Sequence, residues 1–303
     1  MSASEEELKS FLTGGASLVS GLIGSGSGAA LGLAIAGPPG AIIGALSGSF
    51  ITDSLKKLTG EMIRRQLGDR QSTRAAAGLI LLERAIKELL SRGETLQEGE
   101  FSNADESGRR PIDELTEQAI LAMINSVEEH RIPYLANFYA ALYFDERISR
   151  ASIPTLSAIA GGLNYRAMCI LNLIGRKVFY NREFGDDKLP DPWDDVDHIV
   201  AKETFTLLSE SILLSKAADE DHYSVFSGYQ EINPCSIIMS NIGDIIYIKM
   251  KLENIQSKDS SLMETEQSFI NICKKSTTAY GPDYVSTYEA AKLQNNSFLR
   301  GFA

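Results

Sequence analysis

The chain has 303 residues, 44% of them hydrophobic and 23% charged, which is enough apolar material for a real core and rules out wholesale disorder. Its net charge of -11 argues against nucleic acid as the main partner, because binding phosphates needs a local excess of Lys and Arg. Cys169, Cys235 and Cys273 are far apart and form no CxxC pair, so neither a disulfide framework nor a structural zinc site is expected, and a reducing compartment is.

The opening MSASEEELKS is acidic where a secretory signal would be basic, so cleavage and export are not expected. From Ser10 to Thr52 no residue is charged, and eleven of the residues from Gly14 to Gly48 are glycine. Pro38 and Pro39, flanked by Gly37 and Gly40, mark the apex of a helical hairpin, since proline removes amide donors and glycine permits the turn. As a helix the first arm, Ser10–Ala36, would be about 40 Å long, enough to cross a bilayer. The second, Ala41–Thr52, reaches only about 18 Å and needs tilt, bilayer thinning or partners.

Gly24, Gly28 and Gly32 recur every fourth residue, as do Gly40, Gly44 and Gly48. Each set puts a flat groove on one helix face, where a second helix can approach closely. Glycine costs a helix about 1 kcal/mol relative to alanine, so six in phase imply a packing purpose. The run reads as a membrane-inserting hairpin, as a hairpin packed inside a soluble protein or as a disordered linker, and insertion is the favoured reading. Leu18, Val19, Leu22, Ile23, Leu31, Leu33 and Ile35 supply roughly -3 kcal/mol of insertion energy, so one arm alone is marginal and several packed arms are better. Gly24, Gly26 and Ala29 also fit a loose dinucleotide-binding spacing, but glycine-rich sequence stands where a strand should and GPPG interrupts the helix that should follow.

After the second arm comes a basic stretch with Lys56, Lys57, Arg64, Arg65, Arg70 and Arg74. The stretch reads as an ordinary solvated helix face or as a lipid contact, and its place beside the uncharged run favours contact of Lys56, Lys57, Arg64 and Arg65 with anionic lipid headgroups and a cytoplasmic location for that end. Residues 1–74 balance at +1 while the remainder carries -12.

Amphipathic helices follow: residues 74–90, ending near Gly93; a polar loop over 94–110; a helix opening at Pro111 and running toward His130; then IPYLANFYAALYFDERIS, a helix around 151–162, and NYRAMCILNLIGRKVF. Tyr134, Phe138, Tyr139, Tyr143 and Phe144 fall at helical spacing and read as core, with a docking face the lesser alternative. Cys169, beside Ile170 and Leu173, also reads as core. The stretch 182–197 is an acidic, proline-containing boundary. Its Asp186, Asp187, Asp191, Asp194, Asp195 and Asp197 lack the alternating layout of a calcium loop.

Beyond the boundary the periods mix. VDHIVAKETFTLLSESILL reads as a helix, HYSVF and CSIIM as short strands, and SNIGDIIYIKMKLENI as a helix. Residues 262–277 and 284–300 close the chain as two more. Helix, short hairpin, helix suggests a winged-helix-like unit. Its second helix has only Lys249 and Lys251 against Asp244 and Glu253, which favours structural or protein-binding use over DNA. The histidines His130, His198 and His222 have no ligand spacing, and neither a phosphate loop nor a nucleophile elbow occurs.

HRIPYLANFYAALYFDERISRA (130–151), the following LSAIAGGLNYRAMCILNLIG, and SNIGDIIYIKMKL resemble the Abi-alpha-like helical proteins associated with bacterial abortive infection. The resemblance covers about half the chain, transfers no catalytic residue, and implies a role in phage defence. The N-terminal segment is similar to the glycine-zipper transmembrane effectors that partner a separate sensor, such as a short prokaryotic Argonaute. The expected protein is mainly α, with a Gly-rich helical hairpin over 1–60, a helical bundle over 61–185 and a winged-helix-like α+β unit over 190–303. It is a non-enzymatic, cofactor-free and metal-free effector that moves from cytoplasm to inner membrane, oligomerises there and breaks the permeability barrier. The alternative is a soluble helical adaptor with its glycine hairpin buried at an oligomer interface.

Overall fold

The computed structural model describes residues 69–97, isolated positions between 101 and 106, and residues 108–180, 194–215 and 234–279. The glycine hairpin, HYSVF and the expected last helix lie outside the described residues. What is described is mainly helical, with eight helices and one two-stranded antiparallel sheet. Two compact units emerge: one up to Tyr165 together with Ile245–Gln256, the other Arg166–Asp244 with the residues from Ser257 on. The units interleave along the chain.

In the first unit α1 (Asp69–Ser91) packs against α2 (Pro111–Ile124) and α3 (Ile132–Leu142), and α4 (Ile153–Gly162) packs against both α2 and α3. Ala75, Gly78, Leu82, Ala85 and Ile86 are the buried stripe of α1, separated by three or four residues or adjacent, as one helix face requires. Gly78 lets the α1 backbone sit against Met123 of α2: a Cβ there would lie 2.7 Å from the Met123 Sδ and 3.0 Å from its Cβ. The helix ends where expected, with Gly93 at φ +83° and its amide bonded to Leu90 O.

Pro111 occupies the first turn of α2, and Asp113 receives both the Arg110 amide and its guanidinium. The helix stops at Ile124 instead of continuing to His130. Ser126 turns back to bond Glu128 O, and a short turn, Glu129–Arg131, leads into α3 with Pro133 in its first turn. Phe138, Tyr139, Tyr143 and Phe144 are buried and Tyr134 is half-buried, so this aromatic group is core. Thr116 Oγ1 donates to Ile112 O, leaving the buried Tyr143 hydroxyl to donate to Thr116 at 2.9 Å. Burial pushes the Tyr143 phenol well above its ordinary range.

α5 (Tyr165–Gly175) begins in the first unit and continues in the second, where Cys169 is fully buried as its neighbours suggested. The second unit then takes α6 (Asp195–Ser209), β1 (Leu213–Ser215), β2 (Ile237–Met239), the start of α7 (Asn241–Met250) and α8 (Ser260–Ala279). Asp194 and Asp197 cap α6 reciprocally, so these two members of the acidic run serve a helix start. α6 packs against α8, and Val200, Thr204 and Leu207 of the one and Leu262, Phe269 and Ile272 of the other are buried. Phe269 also meets Phe179, ring centres 5.5 Å apart.

The expected helix through Leu214 ends at Ser209 instead. Ser211 takes a left-handed φ of +58°, and the next residues extend into β1. Leu213 pairs with Met239, Leu214 with Ile238 and Ser215 with Ile237. The CSIIM segment does supply a strand, and its partner is LLS.

Candidate functional site

Gly24, Gly28, Gly32, Pro38, Pro39, Gly40, Gly44 and Gly48, together with Lys56, Lys57, Arg64 and Arg65, lie outside the described residues. The end of the basic stretch is described. Arg70 is exposed, while Arg74 is drawn into the fold. Its Nε is 3.5 Å from Glu129 and its Nη2 donates to Val127 O at 3.4 Å, with only 13% of its side chain exposed. Arg74 therefore holds α1 to the turn before α3 and is not offered to a surface. Among the described residues no helix is long and apolar enough to cross a membrane.

The turn between α2 and α3 gathers charged and aromatic groups. Arg131 donates to Gly161 O at 2.6 Å, tying the head of α3 to the end of α4. Its burial weakens the guanidinium's hold on its proton, and Glu128 nearby counters that. Glu128 accepts the Tyr165 amide at 2.8 Å and so satisfies one unpaired donor at the start of α5. The Tyr165 ring lies 5.5 Å from His130 and 6.1 Å from Tyr134. Beside this cluster Val127 is 81% exposed. These groups brace three helix ends, and the arrangement orients chain rather than a reacting atom.

A second constellation explains the cations of α7. The Asp145 carboxylate receives Arg147 through Nε at 2.8 Å, Nη2 at 3.0 Å and the backbone amide at 3.1 Å, and it also pairs with Lys249. Lys251, in left-handed backbone just after α7, pairs with Glu88 of α1 at 2.8 Å. The two lysines that could have faced phosphate are thus engaged within the first unit. The Arg147 bonds, with Lys249 behind them, hold the Asp145 carboxyl far below the ordinary carboxylate range despite its burial.

A depressed folded pKa contributes stability above the unfolded value, near 4, and that stability is lost as pH falls through it toward the folded value. Thermal melting of the protein is therefore expected to drop below about pH 4. Asp145→Ala should cost about 2 kcal/mol at neutral pH, since it strands the largely covered Lys249, and should flatten the acid limb of the melting curve. An unchanged acid limb in the variant would assign that limb to other carboxylates.

Among the described residues no three His, Cys, Asp or Glu side chains gather into a set able to hold a metal. Of the six aspartates in the acidic run, Asp194, Asp195 and Asp197 are described, and Asn271 of α8 donates to Asp197 at 3.3 Å. His198 is exposed on α6, and His222 lies outside the described residues. None of the three cysteines is in a disulfide, yet Cys235 and Cys273 place their sulfurs 3.2 Å apart. Spacing could not reveal that pair, because 38 residues separate its members. No protein-family model matches the chain, and neither a curated protein nor a solved structure does.

Proposed function

We propose that the chain is a membrane-acting effector of antiphage abortive infection. Its N-terminal hairpin inserts into the inner membrane, clusters with other copies through the glycine grooves and dissipates the permeability barrier. The observation that carries this reading is the uncharged run from Ser10 to Thr52 with two in-phase glycine triplets, followed at once by Lys56, Lys57, Arg64 and Arg65. The helical body shields the hairpin until a sensor protein, such as a short Argonaute, relieves it. The resemblance of the stretch from Glu114 to about Leu171 to Abi-alpha-like proteins supports placing the effector in phage defence.

Within this proposal α6, the small sheet, the start of α7 and α8 form a winged-helix-like unit used for protein contact. Engagement of Lys249 by Asp145 and of Lys251 by Glu88 supports that use over groove binding, since paired cations release few counterions from nucleic acid.

Flotation of the purified chain with vesicles tests the reading. The protein should rise with anionic vesicles, and less so with neutral ones. Reversing Lys56, Lys57, Arg64 and Arg65 to glutamate should weaken recovery more than tenfold, given about 1 kcal/mol per basic residue near a charged surface. Raised salt should weaken the wild type in the same direction. Equal recovery on neutral and anionic vesicles would remove the headgroup role. A chain that never floats would instead be the soluble adaptor with a buried glycine interface.

A further inference from the structure

Cys235 lies in the short turn Pro234–Ser236 that leads into β2, and Cys273 lies on α8, against which that turn packs. Both belong to the second unit, neither is in a disulfide, and their sulfurs stand 3.2 Å apart. A disulfide bond is about 2.05 Å long, so a closure of about 1 Å would join them. Their access differs: Cys273 is fully buried and Cys235 half-buried. That asymmetry gives the pair an entry thiol and a resolving thiol. Cys169, fully buried on α5, is the internal reference.

We propose that Cys235 and Cys273 are a thiol-modification site that takes up a small disulfide and resolves it into an internal Cys235–Cys273 bond. The Cys235 thiolate attacks one sulfur of the small disulfide, forming a mixed disulfide and expelling one small thiolate. The Cys273 thiolate then attacks the Cys235 sulfur, the internal bond forms, and the second small thiolate leaves. The protons of the two cysteines end on the two released thiols, so the small disulfide is reduced by two electrons and the protein oxidised by two. The product staples the turn before β2 to α8 and closes the chain between residues 235 and 273 into a loop, which restricts the unfolded state. Excess small thiol reverses it. The site makes the second unit sensitive to the glutathione poise around it, and it stands whether or not the hairpin enters a membrane.

The full chain, incubated natively with glutathione disulfide, acid-quenched, unfolded, alkylated and digested, tests this by mass spectrometry. The expected result is a linked peptide joining Cys235 to Cys273, with Cys169 alkylated. Oxidation should raise the melting temperature by roughly 5–10 °C, and dithiothreitol should reverse the rise. In Cys273→Ser, glutathione should remain on Cys235. Glutathione stranded on Cys235 of the wild type would overturn the proposal. So would full alkylation of Cys235 and Cys273 under conditions that oxidise an unfolded control.

Discussion

Replacement of Gly243 by valine is expected to abolish cooperative unfolding of the segment joining β1, β2 and α7, and Gly243→Ala to destabilise the protein by about 2 kcal/mol or more. Gly243 is the third residue of α7, and a Cβ built there falls onto the backbone carbonyl oxygen of Ile212 and within 2.8 Å of the Met239 Cγ. A flexible methionine can yield, but the carbonyl cannot. Ile212 O already accepts the Ser240 amide at 3.1 Å and the Ser240 hydroxyl at 2.9 Å, while that hydroxyl accepts the Gly243 amide at 3.1 Å. Ser240 is thus at once the cap of α7 and the tie to the residue before β1. Alanine would gain about 1 kcal/mol of helix preference, which the clash outweighs. Thermal melts and amide exchange at residues 240–244 are the measurements. Gly161→Ala is the control, because nothing lies within 4 Å of a Cβ at that position. Equal melting of Gly243→Ala and wild type would show that the β1 edge moves freely.

Deletion of residues 1–60 is expected to remove all membrane depolarisation in cells while leaving the remainder folded. The sequence changes character near Thr73, from uncharged and glycine-rich to amphipathic, and the helices that follow pack on one another and carry the buried Leu82, Ile86, Ile120, Leu135 and Phe138. A body of this size lies within the range of an independently stable domain. The truncated protein should be soluble, helical by circular dichroism and cooperative in melting. Aggregation or a sloping, transition-free melt would place the hairpin in the core and favour the soluble-adaptor reading. Retained depolarisation would move the membrane activity to another segment.

The helical character of the described residues was legible because its signals are local. The buried stripe of α1, Gly93 at its end, Pro111 at the start of α2 and the aromatic spacing of α3 each depend on residues within a few turns, and all are seen as read. Where expectation and structure part, the cause is a contact distant in the chain or a brief backbone reversal. Residues 126–131 are polar enough to continue α2, yet Ser126 and Glu128 spend their hydrogen bonds on a turn and on the start of α5. Residues 213–215 read as the tail of α6, because three residues carry too little pattern to separate strand from helix. Their pairing with Ile237–Met239 decides the matter.

The features that bear on function divide in the same way. Composition alone marks the uncharged glycine run and the basic stretch behind it, since neither needs a fold to be seen. Only tertiary structure assigns Lys249 to Asp145, Lys251 to Glu88, Arg74 to Glu129 and Cys235 to Cys273. These pairs join residues 38 to 163 positions apart, and a charge or thiol in the sequence does not name its partner until packing brings the two together.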